Sequence, residues 1–164
     1  MNSKIARGAS LLFTGLFAGF LLAVLILELS LRKFDASVYA QVRLVELDSL
    51  DKLAVATLLP AMIATTAVLV PAVRARTRIP RLPLAALALL ILVFAVTLAV
   101  NLPINADQLS WNVQAPPADW ASLRDQWQLA HALRTAAALA AFGCLTWNAL
   151  TDSPAYPRSG ALVS

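Results

Sequence analysis

Thiols, imidazoles and charges are all scarce in this chain, and each scarcity closes off chemistry. Among 164 residues there is one cysteine, Cys144, and one histidine, His131. A single thiol forms neither an internal disulfide nor a thiolate metal cluster, which removes thiol–quinone oxidoreductases that work through paired cysteines. A single histidine does not by itself build a haem or di-metal site of the usual kind. No P-loop, glycine-rich dinucleotide fingerprint, HExxH zinc motif or GxSxG elbow occurs. Charged residues make up only 13% of the chain, where a soluble domain carries about 25%. A cofactor-independent or binding role fits this inventory.

Apolar side chains are what the sequence has in excess: 60% of it is hydrophobic. A transmembrane helix needs about 20 largely apolar residues to cross a hydrocarbon core of roughly 30 Å. Four stretches qualify, at about 8–29, 53–73, 82–102 and 129–150. None has Lys or Asp in its middle, so each is tolerable in hydrocarbon. The first follows Lys4 and Arg7 like a signal peptide. However, its apolar run exceeds the roughly 7–15 residues of such a segment. It ends in Glu28, Ser30, Arg32 and Lys33 rather than in small residues, so an uncleaved helix is expected.

Orientation follows Lys and Arg. Lys4, Arg7, the loop with Arg74, Arg76, Arg78 and Arg81, and the tail with Arg158 fall on one side. On the other side the basic residues are matched by Asp35, Glu46, Asp48, Asp51, Asp107, Asp119 and Asp125. Both termini are therefore expected in the cytoplasm of a multi-pass cell-membrane protein. The net charge of +4 is explained by topology, without nucleic acid. The expected fold is an all-α integral membrane four-helix bundle running up-down-up-down. It forms one domain over 1–150, with a disordered cytoplasmic tail at 151–164. Small residues at Gly15, Ala18 and Gly19, and at Ala136 to Ala138, Ala140, Ala141 and Gly143, suit close helix contact.

Polar residues in membrane helices are functional candidates by default, and here they collect at the outer helix ends. Asn101 and Asn105 bracket Pro103 and share a helix face. Proline lacks an N–H, so a kink or helix end there would free carbonyls for the asparagine amides. From about 118 to 150 the chain has no proline and one glycine, and reads as one helix. Along it Trp120, Arg124, Trp127, His131 and Arg134 recur at offsets of 4, 3, 4 and 3. They fall in a stripe about 80° wide and about 21 Å long. Taken singly, these residues also suit an interfacial belt of tryptophans and snorkelling arginines. Glu28, an acid inside an apolar run, is placed to pair with Arg134 or Arg124, or to reach the headgroups. Tyr39, Arg43 and Glu46 lie on an amphipathic helix for which Asp35 is the expected N-cap.

These two outer motifs, Asn-x-Pro-x-Asn at 101–105 and Trp-x(3)-Arg-x(2)-Trp-x(3)-His-x(2)-Arg at 120–134, carry a resemblance. With the glycine-rich first helix around Phe13 to Phe20, Leu31-Arg32 and Asp35, the chain resembles the anthrone oxygenase-like family of small membrane proteins over about 8–150. The resemblance implies a four-helix membrane bundle and, for characterised members, oxidation of an anthrone to an anthraquinone by O2 without metal or flavin. Such chemistry needs a base, oxyanion donors and an apolar slot for flat rings. His131 suits the base. Arg124, Arg134, Asn101 and Asn105 suit the oxyanion. Trp120 and Trp127, with Trp111 and Glu28 nearby, suit substrate binding. No cofactor and no metal is expected. The expected partners are the lipid bilayer and a hydrophobic small molecule, with a homo-oligomer left open. Two further readings stand beside this one. One is a non-catalytic bundle that binds a lipid or hydrophobic ligand, or serves as an accessory subunit. The other, ranked lowest, is a transporter or channel, because no charge at mid-span marks an ion path.

Overall fold

The computed structural model describes residues 3–151. Its helices are α1 (Ser3–Leu31), α2 (Ala36–Arg74), α3 (Arg81–Val96), a π-helical turn (Thr97–Asn101), α4 (Leu102–Gln108) and α5 (Trp120–Thr151). Because α3, the π turn and α4 are continuous, the helices make four rods, each long and apolar enough to cross a membrane. The described residues contain no strand. Each rod contains one of the apolar stretches read from the sequence. The tail expected to be disordered lies, after Thr151, outside the described residues.

The helix limits follow from local chemistry. The Val38 N–H donates to Asp35 Oδ1 at 3.0 Å, so Asp35 caps α2 as expected. No Gly or Pro lies between Asp35 and Pro60. The outer amphipathic stretch and the second apolar run therefore fold as one helix of 39 residues. At 1.5 Å per residue it is about 58 Å long, so it extends well beyond a core of roughly 30 Å. It closes at Ala75, and Arg76 takes the left-handed conformation with φ 51° that commonly follows a helix.

Pro103 behaves differently from the expectation. The helix neither ends nor opens there, and the rod runs on to Gln108. The irregularity lies just before it, in the π turn, where Leu102 N–H donates to the Thr97 carbonyl. Pro103 then sits in the first turn of α4, where a missing N–H costs least. The asparagine amides consequently do not serve local carbonyls. Asn101 Nδ2 donates to the Trp127 carbonyl of α5 at 3.3 Å, and Asn105 Nδ2 to Asp51 of α2 at 3.3 Å.

The rods pack in a ring, α1 on α2 and α5, and the third rod on α5 and more loosely on α2. Phe17, Leu21, Ala61, Leu90 and Ala138 fill the centre. Gly15 is small for a reason: an added Cβ would lie 3.0 Å from Phe142 Cε2 of α5. Gly19 and Gly143 have no such neighbour. Ala137, Ala138 and Ala141 are buried, whereas Ala136 and Ala140 face outward.

Candidate functional site

At the end of the bundle where α1 passes into α2, a guanidinium is buried among polar groups. Arg43 is 2% exposed. Its Nε donates to Gln108 Oε1 at 3.0 Å, and its Nη2 donates to the same oxygen at 2.9 Å and to Asn105 Oδ1 at 3.0 Å. Its Nη1 donates to Glu28 Oε1 at 3.0 Å and to Glu46. Every guanidinium nitrogen is thus engaged, which is what makes so deeply buried a charge tolerable. The group also lies 4.2 Å above the Trp127 ring, a cation–π contact strengthened by the burial of both side chains. Glu28, with 0% exposure, is further held by Gln128, whose Nε2 donates to Glu28 Oε2 at 3.0 Å and to its carbonyl at 2.8 Å. The pairing of Glu28 with Arg124 or Arg134 does not occur; its ionic partner is Arg43 of α2. The reason is geometric, since the short 32–35 turn brings α2 back against the end of α1.

Below this network lies a partly open pocket with a cavity volume of about 170 Å³, smaller than the roughly 300–1,000 Å³ of typical small-molecule sites. Its wall is largely apolar, with Phe20, Leu21, Leu58 and Phe94, and its polar lining includes Glu46, Asn101, His131 and Arg134. Each of these four residues leaves one buried atom without a partner among the described residues: Glu46 Oε1, Asn101 Oδ1, His131 Nδ1 and Arg134 Nε. Buried polar atoms are ordinarily satisfied, and of the seven exceptions among the described residues four lie on this one pocket.

His131 is positioned with care. Its Nε2 lies 3.0 Å from the Leu21 carbonyl. A carbonyl only accepts, so Nε2 carries the hydrogen, and in the neutral ring Nδ1 holds the free lone pair. The ring is stacked on Trp127, with centroids 4.7 Å apart and an interplanar angle of 9°. Trp127 is in turn fixed by donating from Nε1 to Asn105 Oδ1 at 2.7 Å.

The structure sorts the sequence candidates into groups. His131, Arg134, Asn101, Asn105 and Trp127 all line the pocket. Asn105 is fully occupied in holding Arg43, Trp127 and Asp51 together. Glu28 lies behind the wall and holds Arg43. Trp120 and Trp111 pack on Tyr39, at ring separations of 5.6 and 6.4 Å, and form an aromatic cap. Trp111 Nε1 donates to Asp107 at 3.0 Å. Arg124 lies over Trp120 and pairs with Asp125, away from the pocket. The helical stripe on α5 is therefore divided, its inner three residues on the pocket and its outer two at the cap.

The sequence places Arg43 and Glu46 only on an amphipathic helix, and does not single out Asp51, Gln108, Gln128, Phe20 or Phe94 as site residues. For Gln108 a signal existed: Asn101, Asn105 and Gln108 are spaced by 4 and 3, which puts them on one helix face. Among the described residues no group of three or more His, Cys, Asp or Glu side chains forms a metal-ligand set.

The model of the anthrone oxygenase family matches residues 51–144. No curated protein and no solved structure matches the chain. The matched segment carries Asp51, Asn101, Asn105, Trp127, His131 and Arg134, whereas Glu28, Arg43 and Glu46 lie before it. With more than half its length covered, including every α5 residue that lines the pocket, the chain belongs to the anthrone oxygenase family.

Proposed function

We propose that this protein is a cofactor-free oxygenase that oxidises an anthrone- or quinone-like hydrophobic aromatic with O2. We place its site toward the extracytoplasmic face of the cell membrane, with both termini cytoplasmic. One observation carries the reading: an unpartnered imidazole nitrogen, His131 Nδ1, and an unpartnered guanidinium nitrogen, Arg134 Nε, belong to the same apolar-walled pocket. The Asp51 carboxylate acts on Arg134 only through space and leaves its Nε without a partner, so a developing enolate oxygen would supply the direct anionic partner that a buried guanidinium favours. The orientation rests on the basic loop at Arg74 to Arg81, which lies at the other end of α2 from the pocket.

The chemistry balances as follows. An anthrone has an acidic CH2 opposite its carbonyl. His131 Nδ1 takes one of its protons, and Arg134 stabilises the enolate oxygen. The electron-rich carbon reduces O2 and bonds to it, and the peroxide formed is protonated by the imidazolium. Removal of the remaining C–H proton then breaks the O–O bond, leaving a new C=O and releasing one water. The carbon is oxidised, one O2 is consumed, and both original hydrogens leave in the water. Trp127, Asn105 and Arg43 hold the imidazole in place.

The test is oxygen uptake by membranes containing the protein with an anthrone added, wild type against His131→Ala. Uptake that yields anthraquinone and drops by about 10²–10⁴ in the variant is the expected result. Wild-type uptake no faster than spontaneous oxidation, or full activity in the variant, would overturn the proposal. The first of these outcomes would favour a non-catalytic ligand-binding bundle.

A further inference from the structure

No residue of the pocket wall comes from a connecting loop; all lie on the helices. On the aqueous side the pocket is closed by the Arg43 network, and beyond it by Tyr39, Trp111 and Trp120 packed on one another. Asp51, Thr97, Phe20, Leu50 and Ala54 of the wall are half-buried, and the wall residues most exposed at the surface are Val55, Leu59, Phe94, Leu98 and Leu102, at 56, 43, 37, 49 and 43%. All five of these are apolar. Two lie on α2 and three on the rod facing it, so the mouth is a cleft between these rods. This is also the loosest of the four seams in the ring. The π turn, whose Thr97, Leu98 and Asn101 line the pocket, borders the same cleft.

From this arrangement we infer that the pocket is loaded sideways from the hydrocarbon of the bilayer, through the α2–α3 cleft, by an uncharged planar aromatic ring. A mouth whose most exposed residues are all apolar, with only the half-buried Asp51 and Thr97 as polar groups near the surface, offers a water-borne molecule little polar contact to exchange for its hydration. A molecule already dissolved in lipid loses nothing by passing it. Both reactants of the proposed oxidation meet that condition, because O2 is itself an apolar gas. The inference takes from the proposed function only that a flat hydrophobic ligand occupies the pocket.

The experiment measures binding and needs no turnover. Radiolabelled anthraquinone is added to the full chain in lipid nanodiscs, and its association is followed against empty discs. Val55→Trp/Leu98→Trp fills the mouth with side chains that lipid tolerates. Leu133→Trp, on the exposed face of α5 and outside the pocket, is the control. The expected result is association slowed by about tenfold or more in the mouth variant and unchanged in the control. Anthraquinone-2-sulfonate, whose charge bars it from hydrocarbon, should compete about 100-fold more weakly than anthraquinone. Wild-type association in the mouth variant, or equal competition by the sulfonate, overturns the lateral route. A wild type that binds no anthraquinone overturns it too, since the occupant is then wrong. Binding with the expected pattern but without oxygen uptake supports the route and removes the oxygenase reading.

Discussion

Arg43→Met should be the most destabilising single substitution at this end of the bundle. The guanidinium and both its carboxylate partners, Glu28 and Glu46, are at most 5% exposed in their side chains. Removing the cation leaves two buried carboxylates without it, and breaking such a pair costs about 3–5 kcal/mol. At 1.4 kcal/mol per tenfold, that lowers the folded-to-unfolded ratio by about 10²–10³·⁵. Loss of the contact with Trp127, 4.2 Å from the guanidinium carbon, adds up to about 2 kcal/mol. The assay is reversible unfolding in mixed lipid–detergent micelles, followed by tryptophan fluorescence. The same reasoning fixes a rescue. In Glu28→Gln/Arg43→Met/Glu46→Gln the buried charges disappear together, and replacing a buried ionic triad by neutral groups is often close to neutral. The triple variant should recover most of the lost stability while Gln128 still bonds position 28. A cost below about 1 kcal/mol for Arg43→Met, or a triple variant as unstable as the single one, would refute the argument that charge pairing holds this end together.

Other substitutions probe separate parts. Arg134→Ala should reduce anthrone-dependent oxygen uptake by about 10²–10³, whereas Arg124→Ala, paired with the half-exposed Asp125, should change it by less than about twofold; equal losses would mean that both arginines reach the substrate. Gly15→Ala, whose new Cβ would lie 3.0 Å from the Phe142 ring, should cost about 1–3 kcal/mol in the same unfolding assay. Gly19→Ala, with nothing within 4 Å, should be neutral or stabilising by up to about 1 kcal/mol. Asp35→Ala removes the bond to the Val38 N–H and should cost about 1 kcal/mol, with Asp35→Ser restoring most of it.

The fold was legible because the bilayer simplifies the reading. Four apolar runs separated by polar segments leave little freedom in how many helices there are. Helix continuity was harder to read. The stretch from Ala36 to Lys52 carries Arg43, Glu46, Asp48 and Asp51, which separates it by composition from the apolar run that follows. Hydropathy places a boundary there, but no Gly or Pro breaks the backbone, so one helix passes through both environments. Pro103 misled in the opposite sense. A proline signals a break only where its absent N–H would have been needed, and a π turn directly before it removes that need.

The site divides along the same line between local and distant information. The inner half of the α5 stripe could be found because Trp127, His131 and Arg134 lie on one helix at a spacing that a single sequence displays. Why Trp120 and Arg124 leave that group depends on Tyr39, about eighty positions earlier in the chain, which draws the outer turn of α5 under an aromatic cap. Arg43 shows the limit most clearly. Its partners come from α1, α2 and α4, and no periodicity links residues on different helices. Composition does constrain the answer, however. Glu28 lies in an apolar run where an unpaired carboxylate would be untenable, so a cation must meet it. Arg32, four positions on, turns instead to Gln128 and Asp125, and the next arginine, which the tight turn after α1 brings back, is Arg43, whereas the α5 arginines lie a hundred positions away. Chain connectivity, joined to the cost of a buried charge, selects the partner that helical spacing alone could not.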